Sequence, residues 1–366
     1  MHLCIGGTPE VGYFALGSET ARPAACKGGQ RMSSTTTASA PYFEDLEVGE
    51  VVTAAPALTL NEGLAAVHQS ILGDRLRLAL DAELCARVTG AAAPLAHPGL
   101  VCDVAIGQST LLTQRVIGNL FYRGLALRRA PHLGDTLRTT TEVVALRQNS
   151  AKPGRAATGL AVLRIRTADQ EERPVLDFER CAMLPLRDPE GETGRADEVA
   201  AEVPEAGAAE LAGALAGWDL GACREAVPGE HFEALAPGRR WQVGGGDVVS
   251  SAPELARLSL NVAFAHHDAA ATGRGQRLVY GGHTIGIAAA QLGRALPNLV
   301  TILAWHSCDH LGPVFEGDTL RSEVELERTE PLPGGGGLAH LRSRVRAERE
   351  DGGADVLDWR LVGVLA

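Results

Sequence analysis

Gly134-Asp135-Thr136-Leu137-Arg138 occurs a second time in this chain, as Gly317-Asp318-Thr319-Leu320-Arg321. Two further pairs keep the same order and nearly the same offset. Phe43-Glu44-x-Leu46-x-x-Gly49 returns as Phe232-Glu233-x-Leu235-x-x-Gly238, and Val175-Leu176-Asp177-Phe178 returns as Val356-Leu357-Asp358-Trp359. The repeat is far too long for a solenoid, whose unit is about 20–50 residues. It marks two copies of one domain of roughly 140 residues.

Within each copy an apolar, helix-like stretch precedes a series of strand-like runs. The helical stretches are 100–112 and 284–296. In the second, apolar or Ala residues at 285, 288, 289, 292 and 296 approach the spacing of a buried helix. Gly281-Gly282 opens it and Pro297 closes it. Strands are predicted at 301–305, 319–326, 338–346 and 356–364. The run 338–346 alternates as a sheet with one wet face does, and Gly334 to Gly337 reads as a hairpin turn. The predicted fold class is α+β: a long helix wrapped by an antiparallel sheet, twice over.

The chain has 366 residues, 45% apolar and 22% charged, enough for two packed domains. Its formal net charge of -11 argues against a nucleic-acid or anionic-membrane partner. No apolar run approaches the roughly 18 residues of a membrane span. Seven scattered cysteines without a C-x-x-C pair suit a reducing, cytoplasmic setting rather than a disulfide framework. Residues 1–41 carry no periodic apolar pattern and read as a disordered tail, or as a mis-annotated start with Met32 as initiator. The two copies are assigned to 42–187 and 226–366. Between them, 188–225 reads as an acidic Ala/Gly linker with one helix near 208–215; extended to residue 230, the stretch carries eleven acids against two bases.

Both copies resemble the MaoC-like hydratases, the (R)-specific enoyl-CoA hydratases with the hot-dog fold. The likeness rests on Phe-Glu-Asp-Leu-x-x-Gly at a domain start, a His/Asp element, a glycine before the helix and Gly-Asp-Thr-Leu after it. It implies a tandem, or double, hot-dog. Within that family the chain looks most like the mesaconyl-CoA hydratases, also called β-methylmalyl-CoA dehydratases, through Ile71 to Leu78, Asp103 to Thr110, Asn119 to Gly124, Tyr280 to Gly286 and Trp305 to His310.

The resemblance implies a signature, D-x-N-P-x-H-x-D, whose Asp and His activate a water, and a backbone N–H at the start of the buried helix that receives the thioester oxygen. In the first copy the signature falls on Asp74 to Asp81, with Ala79 in the place of His, and the helix start reads Ala96-His97-Pro98. Proline has no N–H to offer, so the first copy is expected to be degenerate. In the second copy Asn261 stands in the place of Asp, His266 matches His and Asp268 the trailing Asp, and the helix start Val279-Tyr280-Gly281-Gly282 keeps its glycine.

The expected catalytic residues are therefore His266 as base, Asn261 to position the water and Gly281 as oxyanion donor. Tyr280, Gly282 and His283 are expected to line the acyl pocket, and Asp74, Asp268, His306 and Asp309 are secondary candidates. A substrate carboxylate would want a cation, for which Arg123, Arg274, His283 and His306 are candidates. His266, His267, His283, His306 and His310 crowd the second copy, yet 306–310 reads as strand then loop, and no metal is assigned.

The expected activity is that of a lyase, the reversible hydration of mesaconyl-CoA to β-methylmalyl-CoA. Hydration or dehydration of another enoyl- or 3-hydroxyacyl thioester is the neighbouring reading, and a non-catalytic acyl-CoA-binding protein the reading of another class. Coenzyme A is expected only as part of the substrate, with no other cofactor. The assembly is expected to be a homo-oligomer of double hot-dog subunits.

Overall fold

The computed structural model describes residues 40–200, 202–350 and 352–366. The tail expected over 1–41 lies outside them except for its last two residues. Ala40 is buried and its carbonyl accepts from Arg115 Nε at 3.1 Å, so the packed body already includes it.

The first half runs β1 (Val51–Val52), β2 (Leu58–Thr59), α1 (Glu62–Leu72), α2 (Arg77–Leu80), α3 (Ala82–Thr89), α4 (Pro98–Gln108), β3 (Gly118–Leu127), β4 (Thr136–Gln148), β5 (Thr158–Ala168) and β6 (Pro174–Pro185). Two short helices follow, α5 (Ala208–Gly213) and α6 (Leu220–Ala226). The second half runs β7 (Arg240–Gln242), β8 (Asp247–Val248), α7 (Ala252–Leu258), α8 (Gly281–Ala295), β9 (Leu299–His310), β10 (Thr319–Pro331), β11 (Gly337–Glu348) and β12 (Ala354–Leu365).

All the strands form one antiparallel sheet in the order β1-β4-β5-β6-β3-β9-β12-β11-β10-β7, with β2 on β4 and β8 on β10. The order is symmetric about the β3–β9 seam, where Tyr122 faces Cys308 and Leu125 faces Trp305. Each half thus covers the other's open edge, which a free hot-dog sheet would expose. Helices α4 and α8 pack against the sheet, α4 on β4, β5 and β9 and α8 on β10, β11 and β12, and against each other. Every residue of α4 except Gly99 is buried, Asp103 and Gln108 among them, and Pro98 opens it at the position where proline is pre-organised.

The repeated motifs have repeated jobs. Gly134 and Gly317 sit at φ +104° and +93°, a region open to glycine, and turn the chain into β4 and β10. The next residue clasps the turn: Asp135 accepts from the His132 N–H at 3.0 Å and Asp318 from the Phe315 N–H at 2.9 Å. The leucine after that is tied to the helix. Gln108 Nε2 donates to the Leu137 carbonyl at 3.1 Å, and Gln291 Nε2 to the Leu320 carbonyl at 2.8 Å. The outer faces of the strands carry cross-strand pairs such as Arg164–Asp177 and Arg342–Asp358.

Two expectations are corrected. The acidic segment is not simply a solvated linker: Leu211, Leu215, Leu220 and Cys223 of α5, α6 and their connection are buried with α3 against Leu303, Val362 and Val364 of the sheet. Its alanines and leucines form an apolar stripe that the net charge of the segment concealed. The second correction concerns β9, which continues unbroken to His310. Arg360 pairs with Ser307 and Leu361 with Trp305, so His306 is an extra residue in the strand, a bulge. The bulge breaks the alternation that would have put His306 and His310 on one face. Among the described residues no helix is long and apolar enough to cross a membrane.

Candidate active site

Helix α8 begins at Gly281. Its N-cap residue, Tyr280, makes no side-chain cap bond; the His283 N–H donates to the Tyr280 carbonyl at 2.9 Å, and the Gly281 and Gly282 N–H groups ahead of it have no partner among the described residues at the positive end of the helix. A Cβ on Gly281 would lie 2.6 Å from Nε2 of His310, so the β9 imidazole leans over the helix start and glycine is what fits beneath it. His310 is half-buried, its Nε2 is shut off from solvent with no hydrogen-bond partner among the described residues, and desolvation of the ring pushes its pKa down to about 4.

The loop after α7 carries the second element. His266 closes a short turn, and its Nδ1 lies 2.8 Å from the Leu278 carbonyl. A carbonyl only accepts, so Nδ1 holds the proton and the neutral ring keeps its lone pair on Nε2. Burial lowers the His266 pKa to about 4, which keeps it neutral at pH 7. Asn261 spends its Oδ1 on the Ala263 N–H at 2.9 Å, leaving the Nδ2 amide as a donor. His267 locks the same loop through Nε2, 2.7 Å from the Asn261 carbonyl.

These pieces line one cavity of about 230 Å³. His266, Asn261, Tyr280, Gly281, Thr284 and His310 come to it from the second half, Tyr122, Thr113 and Arg180 from the first. A base, a neutral donor and an uncapped helix end around one cavity can activate water beside an oxygen that gathers negative charge.

No family model matches the chain. It is 30% identical over 316 residues to mesaconyl-CoA hydratase of Cereibacter sphaeroides, covering 82% of this chain and 88% of that one. The chain belongs to the MaoC-like hydratase family. It is an enzyme of the hydro-lyase class. β-Methylmalyl-CoA dehydratase of Chloroflexus aurantiacus is 28% identical over 326 residues, 84% of this chain and 88% of its own. Among solved structures, a conserved hypothetical protein of Mycobacterium tuberculosis with a double hotdog fold is 54% identical, with a TM-score of 0.82 over 89% of this chain and 99% of its own. A MaoC domain protein of Chloroflexus aurantiacus, assigned as a dehydratase, is 25% identical with a TM-score of 0.77, over 91% of this chain and 99% of its own. The tandem hot-dog read from the sequence is the fold of this MaoC-like chain.

The MaoC-like signature is laid out differently in the two halves. In the first, Asp74 is buried and its Oδ1 lies 3.0 Å from His97 Nε2, while His97 Nδ1 accepts from the Gly99 N–H at 3.0 Å. Burial would raise the Asp74 pKa, but His97 and the Leu76 N–H hold it below its usual value. An imidazole therefore does stand beside Asp74, from the helix start rather than from position 79. Its Nδ1 is spent capping α4 and its Nε2 faces the Asp74 carboxylate, whereas Tyr280 at the start of α8 caps nothing. Near it, His68 Nε2 lies 3.3 Å from Asp103.

Other expected residues stand apart from the cavity. Gly282 is pressed between Asp103 and the Tyr280 ring, where it lets the two helices meet. His283 is buried in the same packing, its pKa pushed down to about 4 by burial, and does not line the cavity. Asp268 caps the next turn by accepting from the Ala270 N–H at 2.9 Å. The bulge turns His306 to His340, 2.9 Å away, and to Glu205. Asp309 pairs with Arg123. The described residues contain no group of three potential metal ligands.

Of the four cations proposed for a substrate carboxylate, Arg274 alone lines the cavity. Sequence reasoning missed Arg180, although the repeat contains its signal. Aligned on Val175-Leu176-Asp177 and Val356-Leu357-Asp358, Arg180 occupies the inward-facing position that Leu361 holds in the other copy.

Proposed function

We propose that this chain reversibly hydrates an enoyl-CoA thioester, with mesaconyl-CoA to β-methylmalyl-CoA as the favoured pair. One observation carries the reading: His266, its proton held on Nδ1 by the Leu278 carbonyl, presents a lone pair to the cavity that also holds the uncapped start of α8. In hydration, His266 Nε2 takes a proton from water as the water oxygen bonds to the β-carbon. The C=C electron pair shifts towards the thioester oxygen, received by the Gly281 N–H and the helix dipole. The proton then passes from Nε2 to the α-carbon, completing the addition of one water. Asn261 Nδ2 is placed to donate to the water oxygen, a positioning role in which it shares no proton. Burial disfavours the imidazolium, and the charge that develops on the enolate offsets that cost as it forms. Coenzyme A enters as part of the substrate.

The test is the loss of enoyl-thioester absorbance at neutral pH with mesaconyl-CoA and crotonyl-CoA. Hydration of mesaconyl-CoA is the expected result. Acyl-CoA binding without any loss would instead assign the chain to non-catalytic binding, the reading that Asn261, in the place of the family's Asp, would favour.

A further inference from the structure

Arg180 lies on β6, with 3% of its surface exposed. Its Nε donates to Ser109 Oγ at 3.0 Å, Nη2 to the Ser109 carbonyl at 3.0 Å and to Thr113 Oγ1 at 2.8 Å, and Nη1 reaches Asn119 Oδ1 at 3.4 Å. Every one of these acceptors is neutral. Among the described residues no carboxylate lies within ion-pair distance of the guanidinium. Burying an uncompensated charge is costly, and proteins meet that cost with a counter-charge. The fold does not ask for the arginine either, since the equivalent sheet position in the second half is filled by the fully buried Leu361. The neutral acceptors hold Nε and Nη2, and Nη1 keeps its second N–H beyond the long contact to Asn119. Arg180 lines the same cavity as His266 and Gly281.

We propose that Arg180 is the receptor for a second carboxylate on the acyl group, so that the first half reads the substrate while the second half carries out the chemistry. The inference rests on the hydratase reading above and adds the residue that selects its substrate. A carboxylate held at Nη1 supplies the counter-charge that the neutral acceptors around Arg180 do not, and fixes which end of the enoyl group faces His266. It also excludes plain acyl chains, which would leave the guanidinium buried and unpaired.

The experiment compares the dissociation constants of succinyl-CoA and butyryl-CoA, saturated ligands with and without the carboxylate. It uses the full chain, Arg180→Met and Arg180→Lys. The wild-type protein should prefer succinyl-CoA on the order of 10²-fold. Arg180→Met should abolish that preference, and Arg180→Lys should retain part of it, because an ammonium keeps the charge but not the fork. Each ratio is internal to one protein, and Arg180→Lys serves if Arg180→Met does not fold. A wild-type ratio near one, or a ratio unchanged in the folded variants, overturns the proposal. Equal weakening of both ligands also overturns it, assigning Arg180 to a phosphate of coenzyme A. Crotonyl-CoA hydration measured alongside separates the two readings: hydration without carboxylate preference sinks this inference alone.

Discussion

His97 and Tyr280 hold equivalent positions in the two halves, and His97 fills with its own imidazole the helix start that Tyr280 leaves open. Nδ1 of His97 caps the Gly99 N–H, whereas the Tyr280 side chain caps nothing. Removing His97 or Asp74 should therefore affect folding more than activity. His97→Ala and Asp74→Ala each leave a buried polar partner unpaired, at a cost of about 1–3 kcal/mol. Thermal denaturation should show lowered midpoints, with turnover within a few-fold of wild type. Loss of turnover in a folded Asp74→Ala protein would mean that the chemistry lies in the first half.

His266→Ala should reduce turnover by about 10²–10⁴-fold, the usual contribution of a general base, with the fold intact. Asn261→Ala should cost less, because solvent can replace a water-positioning donor. Steady-state assays on the enoyl thioester order the two. Near-normal turnover in His266→Ala would show that the family signature has been laid on the wrong residues.

Gly281→Ala places a methyl group against His310 Nε2. Overpacking of this kind typically costs about 1–3 kcal/mol, and the shifted helix start should also depress turnover. Adding His310→Ala should restore much of the melting temperature. If the double variant is no more stable than Gly281→Ala, the two residues do not compete for the same space.

Acid should destabilise the protein in a defined window. His266, His283 and His310 are held neutral by burial, with folded pKa values of about 4. Unfolded, they bind protons below about 6.5. The unfolded state thus carries more protons between these values, and stability falls as pH drops from about 6.5 to 4. Each fully titrating histidine contributes up to about 1.4 kcal/mol per pH unit. Melting curves from pH 7 to 4.5 should show the slope, and His283→Leu should flatten it. kcat/KM should stay level between pH 6 and 8, since His266 remains neutral throughout.

The second half alone, residues 226–366, should aggregate or self-dimerise. Its β9 would lose the partner that places Cys308 opposite Tyr122 and Trp305 opposite Leu125. Light scattering on the purified fragment checks this, and a soluble, fully active monomer would contradict a cavity shared between the halves.

The duplication, the two buried helices and the strand runs are legible in the linear sequence, because each is written in short motifs or in the periodicity of neighbouring residues. Gly134-Asp135 and Gly317-Asp318 demand the same turn wherever they occur, and the apolar run of α8 cannot face water. It also singled out His266, Asn261, Tyr280 and Gly281 from one contiguous stretch on and before a helix, and these four do line one cavity. What faces them follows from long-range packing. Arg180 and His310 reach the cavity from β6 and β9, strands whose neighbours are set by edge-to-edge pairing of the halves. His97 meets Asp74 through a loop closure, and a one-residue bulge turns His306 away from His310. Sheet pairing, bulges and loop closure depend on contacts between residues far apart in the chain, and a linear pattern holds no record of which distant side chains a shared cavity will bring together.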